Sequence, residues 1–507
     1  MARTLSPDTP DLPRRAGRIE HPLAWRAAVY ACMLLAIVAA LTLTSGCAAT
    51  RPWVNPSLAP LAPGQDGLAT PAAARLSSRD LSLFGVLALS GGGARAAAFG
   101  YGVMEELKAT SVAWEGRTTT LLDEVDTIHG VSGGSIVAAY YAAFGDATFP
   151  RFEQEFLRQD FQRSLVARAL RPDNAYRLTS PWYGRSHVLA QRLDELFEGR
   201  TFADLTARPA PHPQLVVSAT DLTLGMSFEF SQEQFDQICS DLASVPLSFA
   251  VAASSSVPLL LSPMTLRNHA GACPRPLPDP DAIVGTQGHQ SALLLTQAQS
   301  YVDAEHRPYI HLVDGGLSDN IGVRRALDML MAQGGPVRTA NADGPQQVVR
   351  RLFVIAVNSE RDPGYRIDLS DRTPTTLQVL DSLMFGSGSQ ASRDTLALLR
   401  HAMRRWQNEL RDGPPQPDSL FAADAELHVI TVNLRDLHDR GLRQTLLRVP
   451  TAFTVSDAEV TQLIAAGRQA LRESPEFQAL LASLDAAPAD SPRTTASVEG
   501  VGFRTPL

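Results

Sequence analysis

Short runs of branched and other apolar residues recur along this 507-residue chain, each followed by a longer stretch of helical pattern, and this alternation narrows the fold more than any other feature. The runs are Gly85–Leu89, Val125–His129, Leu215–Ala219, Tyr309–Val313, Leu352–Val357 and Leu427–Val432. Apolar runs without polar alternation suit strands covered on both faces. Helical patterns fall at Ala94–Ala109, Ser135–Ala143, Arg324–Met331 and Thr375–Leu410, and Ser456 with Glu459 three residues later makes a capping box that opens another helix. Strand and helix in alternation predict an α/β domain with a largely parallel central sheet between helical layers.

The two ends read differently. Arg14, Arg15, Arg18 and Arg26 precede an apolar run from Ala27 to Leu43, and small residues then lead to Cys47, so residues 1–46 are expected to be an export signal. The stretch Leu43-Thr44-Ser45-Gly46-Cys47 resembles the lipobox of bacterial lipoproteins, which implies lipidation of Cys47, an N-terminal lipid anchor in a membrane, and an outer-membrane or periplasmic location. Thr44 stands where that motif prefers a branched apolar residue, and an uncleaved membrane anchor is the alternative. Residues 47–80, with Pro52, Pro56, Pro60, Pro63 and Pro71, are expected to be a flexible tether, and 481–507 a disordered tail. Without residues 1–46 the chain keeps 40 basic and 50 acidic side chains, a net of −10, which argues against nucleic acid as a partner. Beyond the signal and Cys47 only Cys239 and Cys273 remain; in an oxidising compartment they are expected to pair, with two buried thiols as the alternative. No cysteine or histidine cluster has metal-ligand spacing, so no metal site and no cofactor are expected.

Three motifs carry chemistry. In Leu89-Ser90-Gly91-Gly92-Gly93-Ala94-Arg95 a strand ends in three glycines and a helix begins, which exposes successive backbone N–H groups at the positive end of a helix. Gly91, Gly92 and Gly93 are therefore candidates to hold an oxyanion, with Arg95 adding positive potential or orienting the loop. The same residues fit a dinucleotide fingerprint, but the next strand ends in a serine motif rather than the acid that a ribose would need. That serine motif, Gly130-Val131-Ser132-Gly133-Gly134-Ser135, lies between an apolar strand and a helix. In such an elbow the glycines, here Gly130 and Gly134, relieve crowding around a serine whose hydroxyl stands out at the strand's end. Ser135 is the rival to Ser132, read as a helix-start residue. Third, Tyr309–Val313 leads into Asp314-Gly315-Gly316, where a partly desolvated carboxylate beside two glycines can take a proton from serine.

Taken together the motifs resemble the patatin-like phospholipase family, with its G-G-G-x-R loop, G-x-S-x-G elbow and D-G-G segment. Leu215–Leu222, Ala252–Pro263 and the run Leu317-Ser318-Asp319-Asn320 resemble further stretches of that family, so that the resemblance covers about residues 83 to 333. It implies a three-layer α/β/α fold, a catalytic domain over 81–335, and a Ser132–Asp314 dyad acting on lipid or phospholipid acyl esters. Ser90 and Ala96 depart from the family, which often has Asp and Gly there. Residues 336–480 lie outside the motifs and are expected to pack on the core as an α/β extension. Two rival readings stay open. A Ser-His-Asp esterase would use His311, His428 or His438, none in a recognisable context, while His129 faces the wrong side of the elbow. A catalytically inactive lipid-binding envelope lipoprotein is the other.

Overall fold

The computed structural model describes residues 29–38, 51–58, 81–208, 212–273, 289–332, 335, 348–361, 388–414 and 419–485, with scattered positions between 367 and 382. Cys47, the expected tail beyond 485 and most of the expected signal lie outside the described residues; positions 29–38 within the signal are helical. Among the described residues no helix is long and apolar enough to cross a membrane.

The described strands are β1 (Leu83–Leu89), β2 (Ser111–Trp114), β3 (Arg117–Thr120), β4 (Val125–Val131), β5 (Gln214–Asp221), β6 (Ser227–Phe230), β7 (Met264–Arg267), β8 (Tyr309–Val313), β9 (Val349–Asn358) and β10 (Phe421–Asn433). All but the β2–β3 hairpin join one sheet in the order β10-β9-β1-β4-β5-β8-β7, with β6 beside β5. Strands β10, β9, β1, β4 and β5 run parallel. Among the helices are α1 (Gly93–Ala109), α2 (Gly133–Phe144), α3 (Arg185–Leu196), α4 (Leu247–Ser254), α5 (His289–Val302), α6 (Arg324–Ala332), α7 (Gly388–Asp412), α8 (Asp457–Arg472) and α9 (Pro475–Asp485).

Alternate residues of each central strand feed different layers. Leu87 and Leu89 of β1 and Phe353, Ile355 and Val357 of β9 join Phe99, Met104, Val137 and Leu463 on α1, α2 and α8. Ala88, Val354 and Ala356, their neighbours, meet Leu327 of α6 and Leu399, Met403 and Trp406 of α7 on the opposite face. Both strand faces are therefore apolar, which is why the runs show no polar alternation. The result is a three-layer α/β/α fold around a mostly parallel sheet.

Besides residues 481–485, expected in a disordered tail but forming the end of the helix Pro475–Asp485, two expectations need correction. Tyr309–Val313 does not join the parallel set: β8 runs antiparallel to β5, with Thr220 opposite Val313, and β7 pairs with it antiparallel again. The apolar run reveals a strand but not its direction. Residues 51–58, expected within a flexible tether, are instead fastened to the domain. The Asn55 side chain bonds both the N–H and the carbonyl of Arg267 on edge strand β7, at 3.1 and 2.9 Å, and Trp53 lies against Tyr309. An amide side chain that satisfies an open strand edge gains more than the proline-rich composition disfavours. Cys239 and Cys273, joined by a disulfide with Cα atoms 6.0 Å apart, sit beside it, where Leu58 donates to the Cys239 carbonyl.

Candidate active site

β4 delivers Ser132 directly to the N-terminus of α2 with φ 48° and ψ −120°, a left-handed conformation that side chains other than glycine rarely take. The glycines around it are needed for space. A methyl group at Gly130 would press on the backbone of Ser135, and one at Gly134 would collide with the Leu89 and Ser90 carbonyls. Gly133 likewise lies on the backbone of Gly93, so the serine elbow and the glycine loop touch along three residues. The Ser132 N–H donates to Ser254 Oγ at 2.7 Å, and that hydroxyl donates to the Ser218 carbonyl at 2.6 Å, which locks the elbow between β5 and α4.

Ser132 Oγ donates to Asp314 Oδ2 at 2.9 Å. Because β8 enters from beyond the sheet edge and runs back along β5, its last residue arrives level with the end of β4. The other carboxylate oxygen of Asp314 accepts the Gly316 N–H at 2.8 Å, and its own N–H donates to the Ser256 carbonyl at 3.0 Å. Thr220 Oγ1 donates to its carbonyl at 2.8 Å. The carboxylate is thus fixed on every side. It is 5% exposed, and burial pushes its pKa up to about 6 although the Gly316 N–H and the Ser132 hydroxyl both favour the ionised form. Such a group is ionised at neutral pH yet basic enough to accept a proton.

In the glycine loop the three amides are not equivalent. Gly91 N–H donates to the Asn320 carbonyl at 3.1 Å, so this member of the expected oxyanion set is already spent. The N–H groups of Gly92, with φ 145°, and of Gly93, with φ 64°, have no acceptor among the described residues. Arg95 turns its Nε and Nη1 away from the serine. Its guanidinium is buried and donates to the Ser359 carbonyl at 2.9 Å and the Val449 carbonyl at 2.6 Å. Burial, with Arg361 nearby, pushes its pKa down to about 9, which leaves it cationic at neutral pH. It therefore orients the loop. Ser90, where the family often has Asp, accepts the Ser359 N–H at 3.0 Å, and Ala94 N–H donates to the Ala452 carbonyl at 2.7 Å. Ala96 is buried.

Histidines stand elsewhere. His311 Nδ1 pairs with Thr265 Oγ1, His438 with Glu473, and His428 lies 3.4 Å from Glu426. His129 is buried, and burial pushes its pKa down to about 4. Ser135 Oγ donates to the Ser132 carbonyl at 2.6 Å, as a first-turn helix residue does. Local pattern does not reveal Ser359 or Ala452, which hold the glycine loop from 260 or more residues away; Asn320, Ser254 and Ser256 lie inside stretches that the family resemblance covers.

No curated protein is matched by the chain in sequence. Among solved structures it is similar to human GIVD cytosolic phospholipase A2, with TM-score 0.40 and 12% identity over 86% of this chain and 66% of that one. The same human enzyme in complex with methyl gamma-linolenyl fluorophosphonate gives TM-score 0.37 and 13% identity over 84% and 64%. The chain thus spans just under two thirds of the length of these structures. The family model of patatin-like phospholipase matches residues 87–327, and this span of the chain belongs to the patatin-like phospholipase family.

Proposed function

We propose that the protein is a serine acyl hydrolase that cleaves lipid acyl esters through Ser132 and Asp314. The observation that carries this reading is the 2.9 Å hydrogen bond from the serine hydroxyl to a buried carboxylate whose pKa is raised to about 6, next to two unspent amide donors. Asp314 takes the proton as Ser132 Oγ attacks the ester carbonyl. The amides of Gly92 and Gly93 hold the oxyanion, each donor being worth roughly 3–4 kcal/mol of barrier in sites of this kind. Return of the proton to the leaving alcohol releases it, and water then repeats the sequence on the acyl-enzyme to free the fatty acid. The positive end of α2 behind Ser132 favours the developing alkoxide. The N-terminal segment supports a second part of the proposal, that the chain is exported and tethered through a lipid on Cys47.

The test is covalent labelling by an alkyl fluorophosphonate. Wild type is expected to be labelled at Ser132, Ser132→Ala to be inert, and Asp314→Asn to lose at least about a thousandfold in kcat. Substitution of His311, His428 or His438 singly by Ala leaves activity in place; loss in any one of them would point to a histidine base instead.

A further inference from the structure

The stretch 161–185 has no part in the chemistry, yet it carries five arginines and one acid in a chain of net charge −8. It folds as the helix Phe161–Ala169 and the helix Pro172–Arg177 before entering α3. Arg163, Val166, Ala167 and Leu170 recur at the spacing of one helix face, and all four are exposed. Val166 is 57% and Leu170 76% exposed, values that interior-facing side chains never reach. Arg168 is bound to Glu195. Among the described residues Arg163, Arg171, Arg177 and Arg185, all exposed, form no ion pair with a carboxylate. Cations interleaved with outward apolar side chains are the composition of a surface that lies in a lipid headgroup layer.

Position makes the pattern specific. At its start the stretch is bound to the loop that holds the glycine turn: Gln162 N–H donates to Thr454 Oγ1 at 2.9 Å and Phe161 packs on Phe453, two residues and one residue from the Ala452 carbonyl that takes the Ala94 N–H. At its end it is bound to the segment that holds the acid: Ser256 Oγ donates to Ser186 Oγ at 2.8 Å, and the Ser256 carbonyl takes the Asp314 N–H. Arg185 donates to the Leu259 carbonyl at 2.7 Å. That contact pins a turn that holds Leu259 and Leu260 outward, 58% and 59% exposed, with Leu259 at φ 66°, where leucine is rarely found. An exposed apolar side chain in a strained backbone persists when the surroundings hold it there for use.

We propose that residues 161–185 and the turn at Leu259–Leu260 form the face on which the enzyme settles on an anionic bilayer, resting on the reading of the site as a lipid acyl hydrolase. The arginines supply attraction that the rest of an acidic surface opposes, so they fix which side meets the membrane. The leucines and Val166 enter the headgroup layer and place the lipid ester one contact away from both the glycine loop and Asp314.

The experiment uses the full chain carrying Ser132→Ala, to prevent hydrolysis, and Cys47→Ser, to remove acylation. Sedimentation with vesicles of phosphatidylcholine alone, or with phosphatidylglycerol added, gives an affinity ratio, which is compared between chains that share the same N-terminal segment, so that whatever its apolar run and Arg14, Arg15, Arg18 and Arg26 contribute is common to both. The ratio is expected to exceed about tenfold in favour of anionic vesicles and to fall with salt. R163Q/R171Q/R177Q should lower it several-fold below the wild-type value, while Leu170→Ser with Leu260→Ser weakens binding to both vesicles. With Ser132 restored, the triple variant should hydrolyse a monomeric short-chain ester at the wild-type rate and vesicle lipid more slowly. A triple variant that keeps the wild-type preference for anionic vesicles overturns the docking face. A wild-type chain inert towards every ester overturns only the catalytic reading, since the vesicle ratio is measured without turnover.

Discussion

At Asp314 function and stability oppose each other. In the unfolded chain its carboxyl has the ordinary value of 3.8, and in the fold burial raises it to about 6. The folded state therefore holds the proton more tightly than the unfolded one, and the resulting stabilisation is complete below pH 4 and disappears as pH rises through 6. Above that, ionised Asp314 opposes folding by about 3 kcal/mol, the equivalent of some two pKa units. Asparagine keeps the shape without the charge: its Oδ1 can still accept the Gly316 N–H, and its Nδ2 can donate to Ser132 Oγ where the aspartate accepts from it. Asp314→Asn is thus expected to melt above wild type at pH 7.5, with the margin shrinking towards pH 4, while activity is lost throughout; thermal unfolding monitored from pH 4 to 8 measures both limbs. A margin independent of pH would mean that the carboxyl is not held above its ordinary value. In wild type the same ionisation should appear as an acid limb, kcat/KM falling tenfold per pH unit below about 6. Ser132 carries strain of a different kind. With φ at 48°, Ser132→Gly relieves a conformation that Ser132→Ala keeps, so the glycine variant should be the more stable of two inactive proteins, by about 1 kcal/mol in urea unfolding.

Between elements, α1 and α8 come close enough for backbone contact: Gly102 lies against the Ile464 carbonyl and Gly467 against the Phe99 carbonyl. A methyl group at either position meets backbone, which cannot swing away. Gly467→Ala should force the helices apart and destabilise by about 1–3 kcal/mol, whereas Gly271→Ala, with open space around it, should stay within about 0.5 kcal/mol of wild type. Denaturant midpoints of the two variants give the comparison. Because α8 also leads from the loop that holds Ala94, the first variant is expected to slow turnover as well. These contacts show what is legible in sequence and what is not. The strand runs, the serine elbow, the Asp-Gly-Gly turn and the three-layer arrangement are written locally, in apolar periodicity and in glycines that only a tight turn requires. The direction of β8 is not, because alternation and branching are the same in either direction. Nor is the division of labour in the glycine loop: that Gly91 gives its N–H to Asn320, and that Arg95 faces Ser359 and Val449 rather than the serine, depends on neighbours more than two hundred residues away. Asn55 is missed for the same reason, since a proline-rich segment carries no sign of the strand edge that it covers.

Over the whole molecule, the motif residues end near 327 but the parts that hold them do not. Every residue of β1 pairs with β9, so a chain that stops at 335 would leave β1, the strand that ends in the glycine loop, as an open edge. It would also lack Ser359, which holds Ser90 and Arg95, the Val449 carbonyl that takes the second Arg95 bond, and the Ala452 carbonyl that fixes Ala94. Arg95, buried with neither acceptor, would be a charge without compensation, a loss of several kcal/mol by itself. Trp406, Leu399 and Met403 of α7 would leave the outer face of the sheet uncovered, and Leu463 of α8 the inner face of α1. Removal of either layer exposes large apolar side chains worth about 1.5–3 kcal/mol each when buried. These losses exceed the 5–15 kcal/mol by which a folded chain is normally stable. A fragment of residues 81–335 therefore contains Ser132, Asp314 and all three loop glycines and is still expected to be inert to a fluorophosphonate, aggregated or without a cooperative melting transition, while the full chain is labelled. Separate expression of 81–335 with circular dichroism, melting and probe labelling decides the matter: a soluble fragment that melts cooperatively and takes the probe would make residues 349–485 an accessory rather than the second half of one catalytic fold.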